Sequence, residues 1–213
     1  MTRIVAILTG DLIRSTEASP EAVETAMQII RDCSARIGPR TDFTRFRGDG
    51  WQLRLEEPGD HLWACLLLLA RLRAREGIPG CRIAVGIGEE YPTDAKDLST
   101  AMGPAFIASG RELDMMKPGQ ILAIARKDKT DSFRPLLYKI AGNLSERWTN
   151  GQAEAMALKL DPDSPADERL SNETIARQLG VTRQAVDARL RAADYPILDD
   201  MMMAFRGEVN ASK

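Results

Sequence analysis

Phe43-Thr44-Arg45-Phe46-Arg47-Gly48-Asp49-Gly50-Trp51-Gln52-Leu53-Arg54-Leu55 is the stretch that decides the fold. Two alternating runs flank Gly48-Asp49-Gly50, and that turn chemistry predicts a β-hairpin. Side chains alternate along a strand, so Phe43, Arg45 and Arg47 share one face and Thr44 and Phe46 the other. Trp51, Leu53 and Leu55 then alternate with Gln52, Arg54 and Glu56.

Working outward, the hairpin lies between two helices and two further strands. Upstream, Val23, Met27, Ile30, Cys33 and Ile37 recur at helical spacing. Ser19 is placed as the cap, Pro20 follows it, and Gly38-Pro39 ends the helix. An apolar run over residues 3–8 precedes it and leads to Gly10-Asp11 as a strand. Downstream, residues 60–76 read as a buried helix and 82–88 as a strand. Residues 99–115 read as a helix, interrupted by Gly103-Pro104 as an alternative start, and 119–125 as a further strand.

Strand, helix, strand, strand, helix, strand is the split βαβ order, an α+β ferredoxin-like βαββαβ sandwich. Its first and third strands are antiparallel neighbours, which brings Asp11 and Asp49 to one end of the sheet. Paired carboxylates suit a hard divalent cation, Mg²⁺ or Mn²⁺, and through it a phosphate. The plainer alternative gives Asp11 the start of a turn and Asp49 the hairpin backbone groups.

The bulk composition narrows the classes. The chain has 213 residues, 44% hydrophobic and 28% charged, with a net charge of -2, so any basic footprint must be local. The apolar start is interrupted by Asp11, unlike a signal peptide. The run over residues 62–72 is short of the roughly 20 residues that span a bilayer. Cys33, Cys65 and Cys81 form no C-x-x-C and read as buried thiols in a reducing cytoplasm. His61 is the only histidine, which excludes a multi-histidine metal site. Gly86-Ile87-Gly88 lacks the third glycine of a dinucleotide fingerprint, and no P-loop occurs. Glu89 and Glu90 either extend an acidic cluster or form a solvated loop.

After residue 126 the chain turns helical and polar, with a loop over residues 161–165. Residues 170–186 then read as a helix-turn-helix. Ala176 is small where two helices cross, Gly180 permits a positive φ, and Val186 locks the second helix. Thr182 caps that helix. Arg183 and Gln184 lie at its start, where such modules touch base edges. Arg177, Arg189 and Arg191 are placed to meet phosphates. A packing module that binds protein or dimerises is the alternative. Met201-Met202-Met203 fits a core stripe or a dimer helix.

Gly10-Asp11-Leu12-Ile13-Arg14-Ser15 resembles the first metal motif of class III nucleotide cyclases. Residues 45–50 resemble their second, residues 82–88 their following strand, and residues 103–111 the helix of their transition-state groups. The resemblance implies Asp11 and Asp49 as metal ligands, with Arg45, Thr100 and Arg111 at nucleotide-binding positions. Arg111 falls where those enzymes hold a phosphate-stabilising arginine. The cyclase asparagine, however, falls on Ile107, which donates no hydrogen bond, so a complete cyclase activity is not expected. A nearer resemblance is to the SatD-like family, in which a degenerate cyclase-like domain precedes a helix-turn-helix. The shared marks are both Gly-Asp pairs, Trp51-Gln52, Gly86-Ile87-Gly88-Glu89 and Gly103-Pro104-Ala105-Phe106. Trp148 and the residues after it are similar to the leading helix of sigma-region-4-like and LuxR-type modules.

These readings divide the chain into a cyclase-like part (1–128), connecting helices (129–165) and a helix-turn-helix part (166–213). They point to a cytoplasmic DNA-binding transcriptional regulator, paired as a homodimer, without membrane contact. Its first part binds a nucleotide or phosphorylated metabolite, with Mg²⁺ or Mn²⁺. The rival functions are a metal-dependent phosphoryl-transfer enzyme and a protein-interaction adaptor.

Overall fold

A computed structural model describes residues 3–38, 41–46, 48–91, 97–161 and 170–211. The hairpin forms as β2 (Asp42–Phe46) and β3 (Gly50–Leu55), with Thr44 opposite Gln52. Arg47 lies outside the described residues. β1 (Arg3–Leu12) lies antiparallel to β3 on one side and to β4 (Cys81–Glu90) on the other. β5 (Leu122–Ile124) adds parallel to β4, giving the order β2-β3-β1-β4-β5.

β1 and β4 are both longer than their apolar runs suggest. Residues 9–12 keep ladder partners in β4, with Thr9 opposite Ala84 and Asp11 opposite Arg82. Asp11 therefore sits within a strand and does not end one. Backbone pairing, which no hydropathy pattern records, carries β1 past the end of its continuous apolar run.

The sheet has two covered faces. On the first, α1 (Pro20–Ile37) presents Ala26, Met27, Ile30 and Cys33. It starts where Ser19 Oγ accepts from Ala22 N at 3.2 Å. α2 (His61–Arg73) follows a short 3-10 helix, Pro58–Asp60, and is buried at every residue from His61 to Leu72 except Arg71. A helix apolar around most of its circumference must be covered on all sides. The sheet and α1 cover part of it, and helices from the C-terminal half cover the rest.

On the second face, α3 (Pro104–Met115) packs on β4 and β1, burying Val5 and Ile7 against Ala105 and Phe106. Leu98–Thr100 is a separate 3-10 helix, so the expected helix over residues 99–115 starts at Pro104.

The C-terminal half contains α4 (Phe133–Glu146), α5 (Asn150–Lys159), α6 (Asn172–Leu179), α7 (Arg183–Ala192) and α8 (Tyr195–Ala211). Thr149 and Gln152 form a reciprocal capping box at the start of α5. Trp148 Nε1 donates to Ala193 O at 3.0 Å, bracing α5 against the end of α7. α8 returns to the first half. Its Leu198, Met201, Met202 and Phe205 join the hydrophobic cluster that holds α2, while Met203 is exposed. Arg206 Nε donates to Asp60 Oδ1 at 2.5 Å. One apolar core thus runs across residues 128 and 165. Within it, the buried His61 shares a hydrogen bond with Tyr138 and lies 4.9 Å, ring to ring, from Phe205. All three cysteines are buried and free. No described helix is long and apolar enough to cross a membrane.

Candidate functional site

The β1–β3 pairing carries Asp11 and Asp49 to the same end of the sheet. Gly10 is opposite Trp51, which leaves Asp11 beside the turn that holds Asp49. Glycine is required at position 10 by space. A Cβ there would stand 2.4 Å from the buried Trp51 ring and 2.6 Å from the Arg82 carbonyl.

The group that organises this end is Arg82, which sequence reasoning missed. Its Nε donates to Asp11 Oδ1 at 2.9 Å, and its Nη2 donates to Asp11 Oδ2. The fork on both carboxylate oxygens fixes orientation as well as charge. Its guanidinium pKa is raised, first by the hydrogen bond to Asp11, and the Asp49 carboxylate adds to the effect. Ser15 Oγ, from the short 3-10 helix Ser15–Glu17, donates to Asp49 Oδ2. The signal for Arg82 lies in the register, since Asp11 and Arg82 are direct partners across β1 and β4.

A divalent cation does not fit this donor set as it stands. Both oxygens of Asp11 are held by Arg82, and one oxygen of Asp49 by Ser15. Such a cation would have to displace the guanidinium. Among the described residues no group of three or more His, Cys, Asp or Glu side chains is disposed to hold a metal. Glu90, the candidate for enlarging the acidic cluster, is at the far end of β4. It lies eight residues from Arg82, or roughly 27 Å at the rise of a strand. There it is buried and accepts from Arg54 Nη1 at 2.8 Å, and Arg54 also holds Asp42.

The expected nucleotide-binding residues are not brought together. Arg45 faces α1, where its Nη1 donates to Glu24 at 2.6 Å and its Nε to Gly48 O at 2.5 Å. Thr100 belongs to the other face: Leu98, two residues before it, donates its N–H to Thr44 Oγ1 at 2.8 Å. Arg111 is exposed. It follows Ser109 by two residues, about 200° around α3, and Ser109 Oγ lies 2.8 Å from Thr9 Oγ1 on the sheet. Arg111 therefore points away from the carboxylates. What α3 offers the sheet instead is a hydroxyl network. Gln52 Nε2 donates to Thr9 Oγ1 at 3.2 Å, extending the Thr9–Ser109 contact.

The second cluster of expected residues lies on α6 and α7. Gly180 ends α6 with φ 65°, the left-handed conformation that favours glycine. Thr182 Oγ1 accepts from Ala185 N at 3.1 Å and starts α7. Ile175, Ala176, Val186 and Leu190 are buried between the helices. Thr182, Arg183, Gln184, Arg177 and Arg191 are exposed. Arg183 approaches Asp187 only to 3.9 Å, and Asp187 is engaged by Asn172 Nδ2 at 2.6 Å. Arg189, expected to meet phosphates, turns the other way. Its Nη1 lies 3.3 Å from both Gly151 O and Glu154 Oε2, which ties α7 to α5.

No known protein-family profile matches this chain, and no curated protein matches it. Solved structures are similar at low identity. One structure of a bacterial light-regulated adenylyl cyclase matches at 17% identity and TM-score 0.45, over 58% of this chain and 43% of that one. A second structure described in the same words matches at 15% and 0.46, over 58% and 76%. The guanylyl cyclase Cya2 matches at 20% and 0.39, over 58% and 75%. The chain thus spans less than half the length of the first of these proteins.

Proposed function

We propose that the chain is a DNA-binding regulator in which a degenerate cyclase-like, ferredoxin-like domain carries a helix-turn-helix. The observation that supports this reading is the open face at the start of α7. Thr182, Arg183 and Gln184 are exposed together beyond a Gly180 turn, while α5 holds the opposite side of the helix through Arg189. Arg and Gln both make bidentate contacts with base edges in the major groove. Arg177 and Arg191 flank that face as phosphate contacts. The modest local charge predicts weak non-specific affinity and leaves discrimination to α7. A two-fold pair would place two such helices on successive half-sites.

In this reading the first domain acts by packing and ligand response, not turnover. It carries out no phosphoryl transfer in this reading, because Arg82 holds Asp11 and because Arg45, Thr100 and Arg111 lie apart. Selection from a genomic duplex library tests the assignment. Arg183→Ala should relax preference at one base position by about 1–3 kcal/mol. Arg191→Ala should weaken binding evenly across sequences and reduce the salt slope by about one. If both variants select and bind as the parent does, α7 is not a DNA reader.

A further inference from the structure

We infer that the cavity between α1, α2, α5 and α6 is a binding site for a small amphipathic anion. The site is separate from the Asp11–Arg82 end of the sheet and from the exposed face of α7. The cavity encloses about 560 Å³, within the range of pockets that hold drug-sized ligands. Its floor is apolar: Ile29 from α1, Leu158 from α5 and Leu179 from α6 are partly buried there. Arg71 and Arg75, at the end of α2, supply guanidinium groups on its wall. An apolar floor beneath two guanidinium groups selects a molecule with a flat or branched apolar body and one carboxylate, sulfonate or phosphate.

Arg75 is the cation of this wall that no described acid holds. It is exposed and makes no ion pair among the described residues. Arg71 is already oriented, since Asp161, whose side chain is 8% exposed, accepts from both Arg71 and Arg36. The acids on the wall are occupied. Asp32 accepts from Gln28 at 2.7 Å, and Glu154 from Arg189 at 3.3 Å. Glu154 is thereby paired with a cation, while Asp32, bonded to a neutral amide, keeps a negative charge that the Arg36, Arg71 and Arg75 guanidinium groups lining the same cavity outnumber.

The position gives such a ligand a mechanical consequence. Gln178 and Leu179 are the residues just before the Gly180 turn, and Glu154 is the acid that holds Arg189 of α7. A molecule seated among them links α1 and α2 to the helices that fix α7. Only this coupling rests on the regulator reading; the site itself does not, and its test contains no DNA.

The probe is 8-anilinonaphthalene-1-sulfonate, an aromatic sulfonate, titrated into the full native chain and followed by fluorescence. The parent should bind one equivalent saturably. Arg75→Glu should weaken binding about tenfold or more, as expected for loss of a charge-assisted contact. Gln178→Trp, an exposed position whose ring would fill the cavity, should do the same. Glu146→Ala, in the neighbouring cavity that Arg75 also lines, should bind as the parent does. Circular dichroism melts of each variant establish that the fold is kept. The assignment is overturned if the parent does not bind. It is overturned equally if Gln178→Trp binds like the parent, which would put the probe elsewhere even were Arg75→Glu weakened.

Discussion

The two polar regions of this molecule are built oppositely. At the end of the sheet, charges face one another: Arg82 holds Asp11, and Ser15 holds Asp49. At the start of α7, Arg183 has only a distant acid at 3.9 Å, and Gln184 is exposed beside it. Both regions contain residues whose types suggest binding. Internal pairing turns the first into part of the framework, while the second keeps its donors for a partner. A charged residue is therefore to be read by whether another side chain already holds it.

The contrast can be broken most severely from the sheet side. Gly10→Val should lower unfolding free energy by about 3 kcal/mol or more in urea melts, since overpacking against a ring and a carbonyl leaves no direction of relief. A parent-like melt would mean that the Asp11 end is looser than its contacts indicate.

The buried junction between the halves should respond to pH. Burial, reinforced by the Arg134 charge, pushes the His61 pKa down from 6.5 to about 3. The unfolded chain then binds a proton between those values that the folded chain refuses. This contribution is complete above about 6.5 and is lost as pH falls toward about 3. Thermal melts from pH 7 to pH 4 should show a falling Tm, less steep in His61→Phe than in the parent.

A smaller loss is expected from Arg82→Gln, about 1 kcal/mol, because the pair is partly solvated, with side chains 34% and 27% exposed. The same variant frees both oxygens of Asp11, beside the Asp49 oxygen that Ser15 does not hold, so Mn²⁺ should raise its Tm and leave the parent's unchanged. An equal Mn²⁺ shift in the parent would show that the guanidinium yields its place easily. The smallest effect is that of Arg183→Ala, within about 0.5 kcal/mol of the parent in stability, since the side chain is 66% exposed and its approach to Asp187 is long at 3.9 Å. Its consequence belongs to binding alone.

Much of the fold is legible in the sequence. The hairpin around Gly48-Asp49-Gly50 and the helix from Pro20 to Ile37 formed where periodicity and capping residues placed them. The Gly180 turn did so as well. These are local features, written by turn chemistry and the spacing of apolar side chains. The candidate site was legible only in part. Asp11 and Asp49 do come to one end of the sheet, but their partners were not visible. Arg45, Thr100 and Arg111 looked like one site in the sequence and face three different ways.

The sequence by itself determined where the main strands and helices lie, that Asp49 stands in a hairpin turn, and that Thr182 caps a helix opening with Arg183-Gln184. These follow from dihedral preferences and side-chain periods, which act over a few residues. Only the tertiary structure decided that Arg82 neutralises Asp11, that Arg189 turns to α5, and that α8 closes over His61. Each joins residues at least 35 positions apart. Strand register and helix docking set such contacts, and both are fixed only when the whole core packs.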